Sequence, residues 1–433
     1  MKILQITAGA AGMYCGSCTR DNALARALMA RGHDVMLMPV YTPTRPDEPN
    51  VSRDRVLFGG ISVYLQQHVP LFRATPRLLD RLWDSPAVIR AFAGRAIKTD
   101  ARLLGELTIS MLRGEEGVLR KEFEKLIDWA RDEAPPDVVD LPNSLLIAMA
   151  APLKRALNRP VCCTLQGEEL FLDGLVPPYR EQARELIRAQ VPTIDRFIAV
   201  SEYAARFMSA CLAIPSDRMS VVPLGITLDG YPDEPRIPDP GSRTVFTVGY
   251  FARIAPEKGL QVLADAYVQL RGRTPDMPMR LVAAGHLPRP NQSYLNGAKA
   301  ILQGAGLAHE FEYQGEVDRL GKIAFLRALD VLSVPATYDE PKGMFLLEAM
   351  ASGVPVVQPG RGAFTEIVER TGGGILVPPD DPGALAGALE RMARTPALRE
   401  ELAQRAYDGV RRDYTVAQSV ERLIEAYGHA ARH

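Results

Sequence analysis

Histidine and cysteine are scarce in these 433 residues, with six of the first and five of the second. The histidines do not cluster, and no Asp-x-Asp pair stands in a convincing position, so no metal requirement is expected. An odd number of cysteines in so long a chain does not suggest the disulfide framework of a secreted protein. Neither sign of charge is in excess. Lys+Arg number 51 against 52 Asp+Glu, a net charge of −1, and nothing global points to nucleic acid. No uninterrupted apolar run approaches the roughly 20 residues of a membrane span. The opening MKILQIT reads as a strand, without the architecture of a cleavable signal. A cytoplasmic protein is expected, with peripheral contact at the inner membrane face left open.

What the chain does have is a soluble globular composition, 47% hydrophobic and 24% charged, and enough length for two cores. Short apolar, β-branched runs alternate with helical patterns: ILQIT (3–7), VMLMPV (35–40), DVVDL (137–141), VCCTL (161–165), FIAV (197–200) and SVVPL (220–224). After the Pro-rich stretch YPDEPRIPDPGSR (231–243), which reads as a linker, the alternation restarts with TVFTVGY, MRLVAAG, FEYQG, DVLSVP, VPVVQP and GILVPP. This is the pattern of an α/β protein with two doubly wound Rossmann-like domains, each a parallel sheet covered by helices. The expected divisions are a first domain over 1–232, a second over 243–415 and a last helix over 416–433. A cleft is expected where the carboxyl ends of both sheets face each other. Residues 71–131 carry Arg and Leu at helical spacing and read as helices inserted in the first domain. Their interspersed acids favour a solvated face over a lipid-bound one.

Two stretches carry chemistry. In GYFARIAPEKGL (249–260), Arg253 and Lys258 fall on a strand-to-helix loop, where a guanidinium and an ammonium beside a helix N-terminus suit a diphosphate. In DEPKGMFLLEAMASGVPVV (339–357), a helix beginning near Gly343 has no polar face. It nevertheless holds Glu348, which needs a partner: a cation, a backbone amide or the hydroxyls of a ligand.

Together these motifs resemble the donor-binding half of retaining glycosyltransferase family 4, of two-domain GT-B type (glycosyl transferases group 1). The loop FARIAPEKG matches that family's Arg/Lys loop loosely, and E340-PKGMFLL-E348 matches its two glutamates separated by seven residues. EAMASGVPVV, GGGILVPPDDPGALAGAL and the first-domain ARALMARGHDV fit the same pattern. The resemblance spans most of the chain apart from about 50–135. It implies catalytic roles for Glu340, Arg253 and Lys258. The two cations would bind the donor diphosphate in place of a metal ion, and Glu340 would face the hydroxyls of the transferred sugar. Glu348 would take the ribose hydroxyls, and the amides of Gly343, Met344 and Phe345 would meet sugar and phosphate oxygens. The implied partners are a nucleotide-sugar donor, with UDP guessed ahead of GDP and ADP, and a sugar, lipid-linked or small-molecule acceptor. Retention of configuration and a last helix that crosses back onto the first domain follow from the resemblance alone.

The first domain departs from that pattern. A Gly-Gly pair after the first strand is replaced by Cys15–Gly16, and Gly16 keeps the option of close backbone approach to the donor. Cys15 and Cys18 form a C-x-x-C, and Cys162 and Cys163 on a neighbouring strand make a four-cysteine site conceivable, though only one of that adjacent pair can join it. Gln166 stands where family members often have a histidine near the transferred sugar. It cannot exchange a proton near neutral pH. Gln166 and Glu168 are the expected sugar or acceptor contacts. Leu224 replaces an asparagine. A nucleotide-sugar epimerase using Glu168, Glu169 and Asp173, or a non-catalytic sugar or nucleotide binder, are the rival readings.

Overall fold

Twelve apolar runs become twelve strands in the computed structural model, which describes residues 1–9, 16–54, 56–58, 101–234 and 245–432. β1 (Lys2–Thr7), β2 (Asp34–Pro39), β3 (Val138–Leu141), β4 (Val161–Leu165), β5 (Arg196–Ala199) and β6 (Met219–Val221) form one sheet in the order β2-β1-β3-β4-β5-β6. β7 (Phe246–Phe251), β8 (Met279–Ala284), β9 (Phe311–Tyr313), β10 (Val331–Leu332), β11 (Val356–Pro359) and β12 (Gly374–Val377) form the other, in the order β12-β11-β10-β7-β8-β9. Every pairing is parallel. Parallel strands are buried on both faces, which is why they read as continuous apolar runs. In β4 all five residues are buried. Cys163 packs with Leu4, Leu141 and Phe197, whereas Cys162 packs on the opposite face with Leu28 and Val138.

The first sheet is flanked by α1 (Gly16–Ala30), α2 (Ala101–Leu112), α3 (Arg120–Asp132), α4 (Ala150–Leu157), α5 (Glu169–Gly174), α6 (Tyr179–Gln190) and α7 (Glu202–Leu212). The second carries α8 (Leu260–Arg273), α9 (Gln292–Gly304), α10 (Arg319–Arg327), α11 (Met344–Ala351), α12 (Ala363–Thr371), α13 (Pro382–Arg394) and α14 (Pro396–Asp413). The expected inserted helices are α2 and α3 over part of their span. Leu112, Phe123 and Leu126 are buried in the first core, while Arg102–Glu106 and Arg120–Glu124 pair at i,i+4 on solvated faces. Residues 71–100 of that expectation lie outside the described residues, as do Cys15 and most of the Pro-rich stretch (235–243).

The chain divides into one unit of Met1–Pro223 with Val416–His433 and a second of Leu224–Thr415. Residues 224–232, expected in the first domain, therefore belong to the second unit. Their packing explains it: Tyr231 is buried under the Arg319 guanidinium, which donates to the carbonyls of Thr227 and Asp229, and the amide of Ile226 donates to Tyr414 O at 2.9 Å. The final helix, α15 (Val416–Ala430), returns to the first unit as the resemblance implied. Its Val420, Leu423 and Tyr427 are buried with Leu24, Leu28 and Val35, and Ser419 Oγ donates to Pro223 O at 2.7 Å. No helix among the described residues is long and apolar enough to cross a membrane.

Candidate functional site

In the second sheet, β7 lies between β8 and β10, so the crossover direction reverses between β7 and β10. Loops leaving the carboxyl ends of such a strand pair diverge and leave room for a ligand. Arg253 and Lys258 follow β7, and Tyr338 and Glu340 follow β10. The two loops are stitched together by the Thr337 amide, which donates to Glu257 O at 3.0 Å. A 3-10 turn, Pro256–Lys258, ends on Gly259 in the left-handed region (φ +74°), where a Cβ would lie 1.9 Å from Pro335 O. Only glycine permits that approach of the two loops.

Lys258 is the hub. Its ammonium forms an ion pair with Glu340 and donates to Tyr338 Oη at 2.8 Å, while Tyr338 Oη donates to the same Glu340 carboxylate. The ammonium also lies over the rings of Tyr338 (5.0 Å) and Phe345 (5.5 Å). Two of its three donors are thus committed, and the third has no partner among the described residues. Burial by itself would raise the Glu340 carboxyl, but the Lys258 charge and the hydrogen bonds from Lys258 and Tyr338 hold it below the ordinary glutamate value. Arg253 is half exposed and pairs with Glu257 rather than with Glu340.

Gly343 opens α11 at φ +73°, a backbone that L side chains rarely adopt, and Leu346 makes the first amide bond back to its carbonyl at 3.0 Å. The amides of Gly343, Met344 and Phe345 precede that bond, at the positive end of the helix. Glu348, one turn on, is buried as the apolar run implied. Lys322 on α10 approaches its Oε1 at 2.6 Å, and both side chains are largely buried. The structure thus brings together Lys258, Glu340 and Phe345, and sets Glu348 in a second ion pair on the same helix. Sequence reasoning missed Tyr338 and Lys322. Tyr338 stands two residues before Glu340, and Lys322 is a lone cation in the apolar stretch KIAFL.

In the first sheet the reversal falls between β1 and β3. Gln166 and Glu168, after β4, lie beside it. Gln166 Nε2 donates to Asp21 Oδ1 (3.2 Å) and to Pro142 O (3.0 Å). Glu168 clamps the loop itself: it accepts from the amides of Gln166 and Ser144 and from Ser144 Oγ, at 2.8–2.9 Å. Its carboxylate is engaged by three donors of its own surroundings. Asp173 pairs with Arg184 on the surface. Gly16 begins α1, and a Cβ there would meet no described atom within 4 Å. Cys18, Cys162 and Cys163 lie in the buried interior, and for the strand pair burial pushes both thiols well up. Beneath the loops, Asp140 on β3 accepts from Tyr427 Oη of α15 (2.8 Å) and Thr164 Oγ1 (3.0 Å), and burial pushes its carboxyl up to about 6.

Comparison with known proteins places the chain in a family. A family model described as "Glycosyl transferases group 1" matches residues 238–409, and one described as "Glycosyl transferase 4-like domain" matches 16–225. A phosphatidyl-myo-inositol mannosyltransferase of Mycobacterium leprae is 33% identical over 233 residues, 53% of this chain and 58% of that protein. The match thus spans less than two thirds of that relative's length. The enzyme of the same name from Mycolicibacterium smegmatis is 31% identical over 306 residues, 67% of this chain and 70% of its own. Among solved structures, Anabaena HepE in complex with UDP superposes with a TM-score of 0.66 at 17% identity, covering 98% of this chain and 99% of that one. That likeness shows the same fold, two six-stranded parallel α/β units of GT-B type. The chain belongs to the glycosyl transferases group 1 family, with a glycosyl transferase 4-like first domain.

Proposed function

We infer that this protein transfers a hexosyl group from a nucleotide-diphosphate donor to a hydroxylated acceptor. The Lys258–Tyr338–Glu340 cluster at the switch point of the second sheet carries this reading. In the reaction the bond between the anomeric carbon and the diphosphate oxygen breaks, and its electron pair leaves with the diphosphate. The sugar carbon gains positive character, the acceptor oxygen attacks it, and the acceptor's proton passes to the departing diphosphate oxygen. The remaining Lys258 donor, Arg253 and the amides of Gly343, Met344 and Phe345 stabilise the departing charge. Those two cations do the work of a metal ion, so no metal is required. Glu340 accepts from hydroxyls of the transferred sugar, and Glu348 from the ribose. Configuration is retained.

UDP is the proposed nucleotide, supported by the UDP complex of the structural neighbour HepE. An inositol-bearing acceptor is favoured by the activities for which two relatives are named, phosphatidyl-myo-inositol mannosyltransferase and D-inositol 3-phosphate glycosyltransferase. A phosphatidylinositol acceptor would bring the protein to a membrane surface. The three hydrogen bonds engaging Glu168 speak against an epimerase that uses it to move protons. Incubation with UDP-, GDP- and ADP-sugars tests the reading. Nucleotide released in step with a glycosylated inositol supports transfer. An altered sugar on intact nucleotide would mean isomerisation, and binding without turnover would leave a carbohydrate-binding protein.

A further inference from the structure

Three residues other than glycine, among those described, have a left-handed backbone: Asn158, Ala213 and Asp380. Asn158 and Ala213 end the helices α4 and α7, where such a turn is common. Asp380, at φ +58°, ends no helix and follows β12 instead. Aspartate enters that region more readily than most side chains, yet glycine would occupy it without steric cost. Nor does Asp380 cap the helix ahead of it. That task falls to Asp381, whose side chain accepts from the Ala384 amide at 2.8 Å. The Asp380 carboxylate accepts from Arg361 Nη2 at 2.6 Å. With the carboxylate 59% exposed, the pair is well screened by water and adds little to stability. A backbone outlier that holds an ion pair of small worth to the fold points to a role in function.

Arg361 shows what that role is. It follows β11, which lies between β10 and β12, so its side chain can reach the loops on either side. Nη2 takes Asp380 of the loop after β12, and Nη1 donates to Ala336 O of the loop after β10 at 3.3 Å. Nε is buried without a hydrogen-bond partner, so the two end nitrogens alone aim the guanidinium. The residues next to Arg361 hold the other end of the β10 loop. The Ala363 amide donates to Glu340 O at 2.8 Å, and a Cβ at Gly362 would lie 2.4 Å from that oxygen. One turn, 361–363, thus grips Ala336 and Glu340, and Tyr338 lies midway between them.

We propose that Arg361, aimed by Asp380, is a positioning residue for the Lys258–Tyr338–Glu340 cluster. It fixes the start of the β10 loop while the Ala363 amide fixes the end, and so sets where Tyr338 Oη meets both Lys258 and Glu340. Without that tie every charge of the cluster is still present, but Tyr338 and the Glu340 carboxylate drift. Nucleotide affinity rests mainly on Lys258 and the α11 amides, so turnover suffers first. This deepens the transferase reading and rests on it for the reaction in which the placement counts.

Asp380→Gly in the full chain separates placement from stability, because it removes the carboxylate and relieves the left-handed backbone together. It should melt no earlier than wild type. Its kcat for nucleotide release from UDP-glucose or GDP-mannose, with myo-inositol as acceptor, should nevertheless fall by about tenfold, since a group misplaced by roughly 1 Å can cost a hundredfold. The dissociation constant for UDP or GDP should move far less. Asp380→Asn still offers Nη2 an oxygen and tolerates the left-handed backbone, so its kcat should fall between those of wild type and Asp380→Gly. Arg361→Met loses both ties and should lower kcat at least as far as Asp380→Gly. Crystals of Asp380→Gly should show Tyr338 Oη or the Glu340 carboxylate out of hydrogen-bond reach of Lys258 Nζ. Wild-type kcat in Asp380→Gly, or an undisturbed cluster in its crystals, overturns the proposal. So does a kcat that falls only in step with melting temperature or with nucleotide affinity. Failure of the transferase reading looks different: the wild type then releases no nucleotide, while the crystals still score the placement of Tyr338 and Glu340.

Discussion

The Lys322 ammonium and the Glu348 carboxylate meet at 2.6 Å inside the second unit, and this pair accounts for a charged residue in the otherwise apolar α11. Two ions withdrawn from water are tolerated because each neutralises the other, and removing one strands the other. Lys322→Ala should therefore destabilise the protein by about 3 kcal/mol. The double variant Lys322→Met/Glu348→Leu should recover most of that loss in a denaturant titration. It should also lose nucleotide affinity if Glu348 holds the ribose. A double variant that melts as early as the single one would show that the pair's geometry matters more than its charge balance.

Lys258→Ala should lower affinity for UDP, GDP or ADP, whichever binds, by about 10- to 100-fold, the worth of one or two charge-assisted hydrogen bonds. Calorimetric titration measures this directly, and an unaltered dissociation constant would remove the diphosphate assignment. Because Lys258 also balances buried Glu340, the same variant should melt earlier than wild type.

Tyr338→Phe keeps the ring under the ammonium but removes the hydroxyl that joins Lys258 to Glu340. Turnover should drop more than nucleotide affinity, since the charges remain and only their mutual placement is loosened. Equal losses in both would assign Tyr338 to binding alone.

Asp140 links stability to pH. Its carboxyl is pushed from 3.8 to about 6 by burial, so the native state holds a proton that the unfolded chain has lost. Stability from this group is therefore full below about pH 4 and declines as pH rises toward about 6 and beyond, by about 3 kcal/mol in all. Asp140→Asn, which still accepts from Tyr427, should flatten the stability profile across that window relative to wild type. Glu340 acts in the opposite sense. Its depressed carboxyl contributes stability above the unfolded value, and that contribution disappears as pH falls through the native one. Glu340→Gln should accordingly shift acid unfolding less steeply than wild type. Parallel profiles for wild type and either variant would contradict these assignments.

Gly343→Ala should cost about 1–2 kcal/mol, because φ is +73° and the new Cβ would press on Ile367 Cδ1 at 2.9 Å. The main consequence should be a displaced α11 amide cluster, read as weaker nucleotide binding in a protein that still folds.

Strand positions were readable because strands buried on both faces leave a local trace, a run of apolar β-branched residues such as VCCTL or VPVVQP. The Arg253, Lys258, Glu340 and Glu348 motifs were readable because their spacing follows two loops and one helix. The partners of those residues left no such trace. Lys322 and Glu348 are 26 positions apart, Lys258 and Tyr338 are 80 apart, and only the packing of α10 on α11 and the parallel pairing of β7 with β10 bring them together. The unit boundary was misplaced for a similar reason. Prolines mark a break locally, but burial of Tyr231 under Arg319 assigns the preceding residues to the second unit.

The return of α15 to the first unit has a consequence for biosynthesis. As the chain emerges from a ribosome, residues 224–415 are complete before the helix that seals Leu24, Leu28, Val35 and Val138 has been made. The inserted half can mature on the nascent chain. The first unit must wait, with one apolar flank of its sheet bare, until Val416–Ala430 has been translated.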